Sequence, residues 1–267
     1  MCRCSPPPRL TVPTVAHVQG LRYPVDVDDV HVGLTPLDAL GIADKGGTYQ
    51  NEEALARSPQ SEVRLSMRLH SAPRSGNSYK VRLLLGLLDT RCEIVDYDTK
   101  GGETHAQGFL KNINPDGKVP VLELEDGTML PESGAILYYL AEGTPYLPEE
   151  KLERAQVLRW MFFEQYSLLM NLSRPRLWRM WGIEMTAQRR AELEQLFEQG
   201  YRALGVMERH LGDYDYFVGE SPTVADVALY VYPRLCPEGG YDLEGFPAVR
   251  AWLERIATLP GYVPPPG

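Results

Sequence analysis

One step in the chain, Val119-Pro120, constrains the fold more than any other. Proline has no N–H to give a strand ladder, yet here it leads directly into the apolar run Val121-Leu122-Glu123-Leu124. A cis bond at this step reconciles the two. It turns the N–H and C=O of the residue before the proline outward, where they can pair with the backbone of a peptide-like ligand, and cis prolines are rare enough to mark a purposeful feature. Downstream, Asp126-Gly127 reads as a two-residue hairpin turn between strands over 121–125 and 128–130. Pro131-Glu132-Ser133-Gly134-Ala135-Ile136 then places Glu132-Ser133 at the start of a helix. A hydroxyl, free backbone N–H groups and a positive dipole end beside the proline loop suit an incoming carboxylate.

Around this centre the order of elements is legible. A strand ending at His70 leads into the loop Ser71-Ala72-Pro73-Arg74-Ser75-Gly76-Asn77 and a helix burying Val81, Leu84, Leu85 and Leu88. A strand over 92–97, a short helix over 106–111, the proline loop, the hairpin and a helix over 133–142 complete a βαβ half followed by a ββα half. That is a small α/β sandwich spanning 63–143. Residues 144–150 form a linker by composition, and 151–267 reads as helical throughout. Between 187 and 211, Leu193, Leu196, Phe197, Leu204, Met207 and Leu211 fall at three- and four-residue steps, a core-facing stripe. Thr223 N-caps the next helix, with Asp226 placed to reach back to the cap N–H, and a last helix covers 248–259. Residues 1–62 are proline-rich, carry mixed charge and hold no sustained period, so a disordered or loosely structured extension is expected there. Met67 within the first strand suggests a start codon assigned too far upstream; a genuine targeting or regulatory extension is the competing reading.

The formal net charge of −9 and pI near 5.2 argue against a nucleic-acid or anionic-membrane surface as main partner. No window approaches the ~20 apolar residues of a membrane span, and the first residues lack the apolar core of a secretory signal. A cytoplasmic location is expected. The four cysteines, two in a proline-rich tail, Cys92 opening a strand and Cys236 between two prolines, do not look like a disulfide framework and receive no role.

This order of elements, with a Val-Pro turn opposite the first helix, resembles the thioredoxin fold, and the all-helical second half narrows the resemblance. Asn114-Pro115-Asp116-Gly117-Lys118-Val119-Pro120, Glu132-Ser133, Trp160-Met161-Phe162-Phe163-Glu164-Gln165-Tyr166, the capping stretch around Thr223 and Asp226, and Gly239-Gly240-Tyr241-Asp242-Leu243 stand in sequence. From about residue 64 onward the chain is similar to the cytosolic glutathione S-transferases of bacterial type. The resemblance implies an α+β, thioredoxin-like N-terminal domain with a mixed sheet, followed by an all-α domain. It also implies glutathione as co-substrate, no metal, a small hydrophobic electrophile as second substrate, and a homodimer with neither nucleic-acid nor membrane partners.

Where thioredoxin-like redox enzymes carry Cys-x-x-Cys, this chain has Ser75-Gly76-Asn77-Ser78. A dithiol relay within the protein at this position is thereby excluded, and a hydroxyl is offered to a ligand's sulfur instead. The thiolate is the nucleophile, and a free thiol titrates at about 8.5. Lowering that pKa by about two units corresponds to roughly 2.7 kcal/mol, within reach of a charge-assisted hydrogen bond plus a helix dipole. By position, the resemblance implies Ser75 as the thiol-activating residue of a serine-type site. Ser78, one turn on, is the runner-up, Asn77 could donate a second hydrogen bond, and Ser75 as helix cap alone is the bland alternative.

The remaining contacts come from the resemblance as well. Val119, ahead of Pro120, pairs its backbone with the cysteinyl part of glutathione. Glu132 holds the γ-glutamyl ammonium and Ser133 its carboxylate. Lys118 faces the glycyl carboxylate or is a solvated surface charge, and His105 is solvent-facing. Tyr166, Arg176, Trp178 and Trp181 are candidate walls of the second-substrate pocket, and Leu168-Leu169-Met170 signals either a greasier pocket or, as the plainer reading, helix packing. A glutathione-dependent peroxidase or thiol reductase would keep the same site, and isomerase, dehalogenase and ether-cleaving versions share the scaffold. A non-catalytic interaction module is the third class, and loss of the serine or of Glu132-Ser133 would have pointed to it; both are present.

Overall fold

The computed structural model describes residues 67–265; the extension expected over 1–62 lies outside them. Four strands, β1 (Arg68–Ser71), β2 (Glu93–Asp96), β3 (Val121–Glu123) and β4 (Met129–Pro131), form one mixed sheet in the order β2-β1-β3-β4. β1 runs parallel to β2, with Leu69 beside Ile94, and antiparallel to β3, with Leu69 beside Leu122. The β3–β4 hairpin is shorter than the alternation suggests. Leu124 already belongs to the connection, where its N–H donates to the Thr128 carbonyl, while the Asp126 carboxylate accepts from the Thr128 N–H and Gly127 turns at φ +83°.

Helix α1 (Gly76–Leu87) lies between the sheet and the helical half and is buried on both sides. Val81 and Leu85 join Leu69, Leu122 and Ile136 on the sheet side, whereas Tyr79, Leu83 and Leu84 belong to the large cluster that includes Trp160, Leu168, Leu172, Val227 and Trp252. A helix with two apolar faces shows little amphipathic contrast, which is why Leu83 escapes a one-sided stripe. α2 (Gln107–Asn112) follows β2, and α3 (Ser133–Ala141) follows β4 and packs on α1.

The helical half opens with α4 (Lys151–Phe163), capped by the Glu150 carboxylate. Instead of ending near residue 166, the helical course passes through a π-helical turn over Glu164–Leu169 into α5 (Met170–Trp181). α6 (Ala187–Leu211) has the expected bounds, with Leu196, Leu204, Met207 and Leu211 buried. α7 (Val224–Gly239) is the centre of this half, buried along most of its length and packed on α1, α4 and α5; α8 (Pro247–Ala257) closes it. Asp226 performs the capping role expected of it. Its Oδ2 accepts from the Thr223 N–H at 2.9 Å and the Thr223 hydroxyl at 3.1 Å, and its Oδ1 accepts from Phe217 N–H and Trp252 Nε1–H. Burial still pushes its carboxyl up to about 6, against an ordinary 3.8. Among the described residues, no helix is long and apolar enough to cross a membrane.

Candidate active site

An open cleft of about 880 Å³ lies where the loops beyond β1 and β2 face α5 and α7. One of its walls comes from the α/β half and is largely polar. Ser75 is the N-cap of α1, and its Oγ accepts from the Ser78 N–H at 3.2 Å. Capping occupies a lone pair of the hydroxyl and leaves its proton free to donate, so capping and activation are compatible in one side chain. Asn77 lines the same wall. Ser78 does not: it is fully buried, and its Oγ accepts from the Ala72 N–H at 3.2 Å, holding the loop that presents Ser75. Ser75 stands outside the helix as its extended N-cap while Ser78 lies within the first turn and packs inward, which removes it as an alternative group in the cleft.

The Val119-Pro120 bond is cis, and Val119 lines the cleft while Pro120 is buried behind it. The approach to this step is fixed by Asn114, whose Oδ1 accepts from the Asp116 N–H and whose Nδ2 donates to the Lys118 carbonyl. Gly117 turns at φ +64°, and a Cβ there would sit 2.6 Å from His105 Nδ1. Only glycine serves both demands, and the result brings Lys118 and His105, both exposed, to the rim. His105 therefore meets solvent as expected and borders the cleft as well.

Glu132 and Ser133 lie outside the lining of this cleft. They follow β4 at the sheet edge, whereas the lining is drawn from loops next to β1, β2 and β3. Ser133 is buried at the first turn of α3, and Glu132 faces a neighbouring groove of about 600 Å³ that also meets Lys80, Glu164, Tyr138 and Met161. Glu132 is held at φ +72°, a left-handed conformation that is costly outside glycine, by about 1–3 kcal/mol, and that concentrates at ligand sites.

The opposite wall is apolar and helical: Leu169, Leu177, Met180, Trp181 and Tyr232. Of the aromatic residues expected there, Trp181 reaches the cleft and Trp178 does not. Tyr166 is 82% exposed and borders a separate groove between α5 and α6. The Leu168-Leu169-Met170 run divides three ways: Leu168 is core, Leu169 lines the cleft, and Met170 is exposed beside Tyr166. Successive helical side chains point about 100° apart, so three neighbours meet three surroundings. Arg176 is buried in the lining with two donors engaged: Nε to Glu238 at 2.7 Å and Nη1 to the Arg74 carbonyl at 2.9 Å. It ties α5 to the loop carrying Ser75 rather than standing free for substrate.

A second tie lies deeper. Lys80 of α1 and Glu164 of the π-helical turn are both buried, with Nζ 2.8 Å from Oε1. Burial lowers the Lys80 pKa and raises that of Glu164, each offset in part by the partner's charge. The Lys80 ammonium also sits 5.1 Å from the centre of the Tyr232 ring. Tyr232 is the residue of this site that the sequence does not announce. It sits in an apolar stretch of α7 and reads as core, and only its hydroxyl, donating to Asn77 Oδ1 at 3.1 Å, betrays another role.

Comparison with known proteins agrees with this architecture. Residues 65–142 match the family model described as glutathione S-transferase, N-terminal domain, and residues 159–260 match glutathione S-transferase, C-terminal domain. A crystal structure of a glutathione S-transferase from Pseudomonas fluorescens Pf-5 is 44% identical, with a TM-score of 0.71, over 74% of this chain and 98% of that one. A maleylacetoacetate isomerase from Pseudomonas aeruginosa is 32% identical over 73% of this chain and 93% of its own length. A disulfide-bond oxidoreductase from Escherichia coli K12 is 32% identical over 72% and 90%.

Proposed function

The chain belongs to the cytosolic glutathione S-transferase family, and from that premise we propose that it binds glutathione, holds the thiol as thiolate at Ser75 and transfers it to a small hydrophobic electrophile. The observation that carries this reading is the N-terminus of α1 opening into the cleft, with a capping Ser75 whose proton is free and Asn77 beside it. The thiol proton leaves to solvent, and the hydroxyl and helix dipole stabilise the sulfur anion. The thiolate electron pair then forms a C–S bond. Either a leaving group departs with its bonding pair, or, in an addition, the carbanion takes a proton from water. Val119 supports the cysteinyl backbone and Lys118 the glycyl carboxylate; the γ-glutamyl end is proposed to extend past the lining of this cleft toward Glu132 and Ser133 at the N-terminus of α3. Leu169, Leu177, Met180 and Trp181 supply an apolar bed for the electrophile.

The E. coli relative favours a second reading, glutathione-dependent reduction of peroxides or mixed disulfides at the same thiolate. Turnover of a haloarene with release of halide is expected under the first reading. Turnover of cumene hydroperoxide without any haloarene turnover would replace it with the second. The protein is also proposed to be a cytoplasmic homodimer. In support, Tyr139 of α3 and Phe162 of α4 are exposed beside the apolar groove between those helices, and a second copy covering them would remove that surface from water. A monomeric mass by light scattering at micromolar concentration would overturn the dimer.

A further inference from the structure

An asparagine beside a sulfur anion is useful in only one orientation. Its Nδ2 carries two N–H donors and its Oδ1 only lone pairs, so a side chain turned oxygen-first would repel a thiolate. At Asn77 the choice is made from behind. The Tyr232 hydroxyl donates to Oδ1 at 3.1 Å, and among the described residues Nδ2 has no hydrogen-bond partner, although Asn77 lines the cleft. The reverse amide orientation would aim Nδ2 at the phenol and leave the phenolic O–H without an acceptor.

Two further observations fit a dedicated arrangement. Gly76 stands between Ser75 and Asn77, and a Cβ there would lie 3.1 Å from Cε1, Cζ and Oη of Tyr232. The phenol reaches Asn77 through the space that this glycine leaves. Tyr232 is also buried, with the charged groups around it coming from three elements: Lys80 of α1 over its ring, Glu164 of the π-helical turn and Arg176 of α5. Burial first, and the Glu164 charge second, push its ionisation well above the ordinary tyrosine range, so the hydroxyl keeps its proton and remains a donor.

We infer that Tyr232 is a positioning residue: its hydroxyl fixes the Asn77 carboxamide so that the N–H pair faces the sulfur of bound glutathione and supplements Ser75. This rests on the reading of Ser75 and Asn77 as a thiolate site.

The test is a double-mutant cycle on the full chain, following the ultraviolet thiolate absorbance of bound glutathione against pH in wild type, Tyr232→Phe, Asn77→Ala and the double variant. Phenylalanine keeps the ring beneath Lys80 and against Gly76 and removes only the hydroxyl. Tyr232→Phe should raise the bound thiol pKa by about half a unit to one unit, and lower kcat/KM about threefold to tenfold at pH values below it. Rates should converge at high pH, where the thiol ionises unaided, and the KM for glutathione should hardly move. In the Asn77→Ala background the same change should add nothing. An unchanged pKa in Tyr232→Phe, or an equal shift with and without Asn77, overturns the inference. A wild-type thiol pKa no lower than that of free glutathione overturns the underlying thiolate reading and the inference with it.

Discussion

The polar wall of the cleft and the apolar wall differ in how their residues reach position. On the α/β side the backbone is set locally. Ser75 caps the helix that begins at the next residue, and Asn114 braces the turn that leads to Lys118. On the helical side, Leu169 and Trp181 owe their place to the phase of one helical course running from residue 151 to 181 through a π-helical turn. The first wall is thus specified by short-range backbone chemistry and the second by accumulated rotation and tertiary packing. Side-chain ties join the walls directly: Lys80 to Glu164, Arg176 to the Arg74 carbonyl, and Tyr232 to Asn77.

The largest effect is expected from breaking the deepest of these ties. Lys80→Met leaves the Glu164 carboxylate buried beside an apolar side chain, and should cost about 3–5 kcal/mol in denaturant unfolding; Lys80→Met combined with Glu164→Leu should recover most of it. A cost below about 1 kcal/mol for the single change would mean that the pair does not hold the walls together. Next in size is a pH response belonging to the helical half. Because the folded-state pKa of Asp226 is about 6 against an ordinary 3.8, the folded protein holds this proton more tightly than the unfolded chain. Stability therefore falls as pH rises through that window, by on the order of 3 kcal/mol in all. His210, whose pKa burial lowers, works in the opposite direction, so the readout is the difference between variants: the midpoint temperature of wild type should gain on that of Asp226→Asn between pH 7 and pH 5. Parallel curves would refute the assignment.

The smallest effects separate the walls functionally. Leu169→Ala should raise the KM for a hydrophobic electrophile about fivefold to thirtyfold, as loss of roughly 1–2 kcal/mol of apolar contact implies, with the glutathione KM unchanged. Tyr166→Ala should move neither, because that side chain faces another groove. A glutathione KM that rises with Leu169→Ala would erase the distinction between the walls.

The same distinction explains what the sequence made legible. The succession of strands and helices, the cis step at Val119-Pro120, the Asp226 cap and the bounds of α6 all derive from residues close together in the chain, and each is present. Ser75 and Asn77 follow β1, Lys118 and Val119 precede β3, and the pairing of those two strands brings them into one cleft. The resemblance points to Tyr166 and Trp178 for the far wall, but nothing in the motifs reports a π-helical turn. Ser78 falls inside the protein because a motif position does not say which side of the first helical turn faces inward. Tyr232 stays hidden because a tyrosine within an apolar helix reads as core until the hydroxyl's partner, 155 residues away, is known.

The central claim is that the N-terminus of α1 and its capping serine make a thiolate, and the most direct measurement is the ultraviolet thiolate absorbance of bound glutathione against pH in wild type and Ser75→Ala. The account predicts a wild-type bound pKa about two units below that of the free thiol, and its return most of the way in Ser75→Ala, beyond the ~1 kcal/mol stability cost of a lost cap. A depressed pKa that is indifferent to Ser75 would contradict the assignment and leave the anion to Asn77 and the helix dipole.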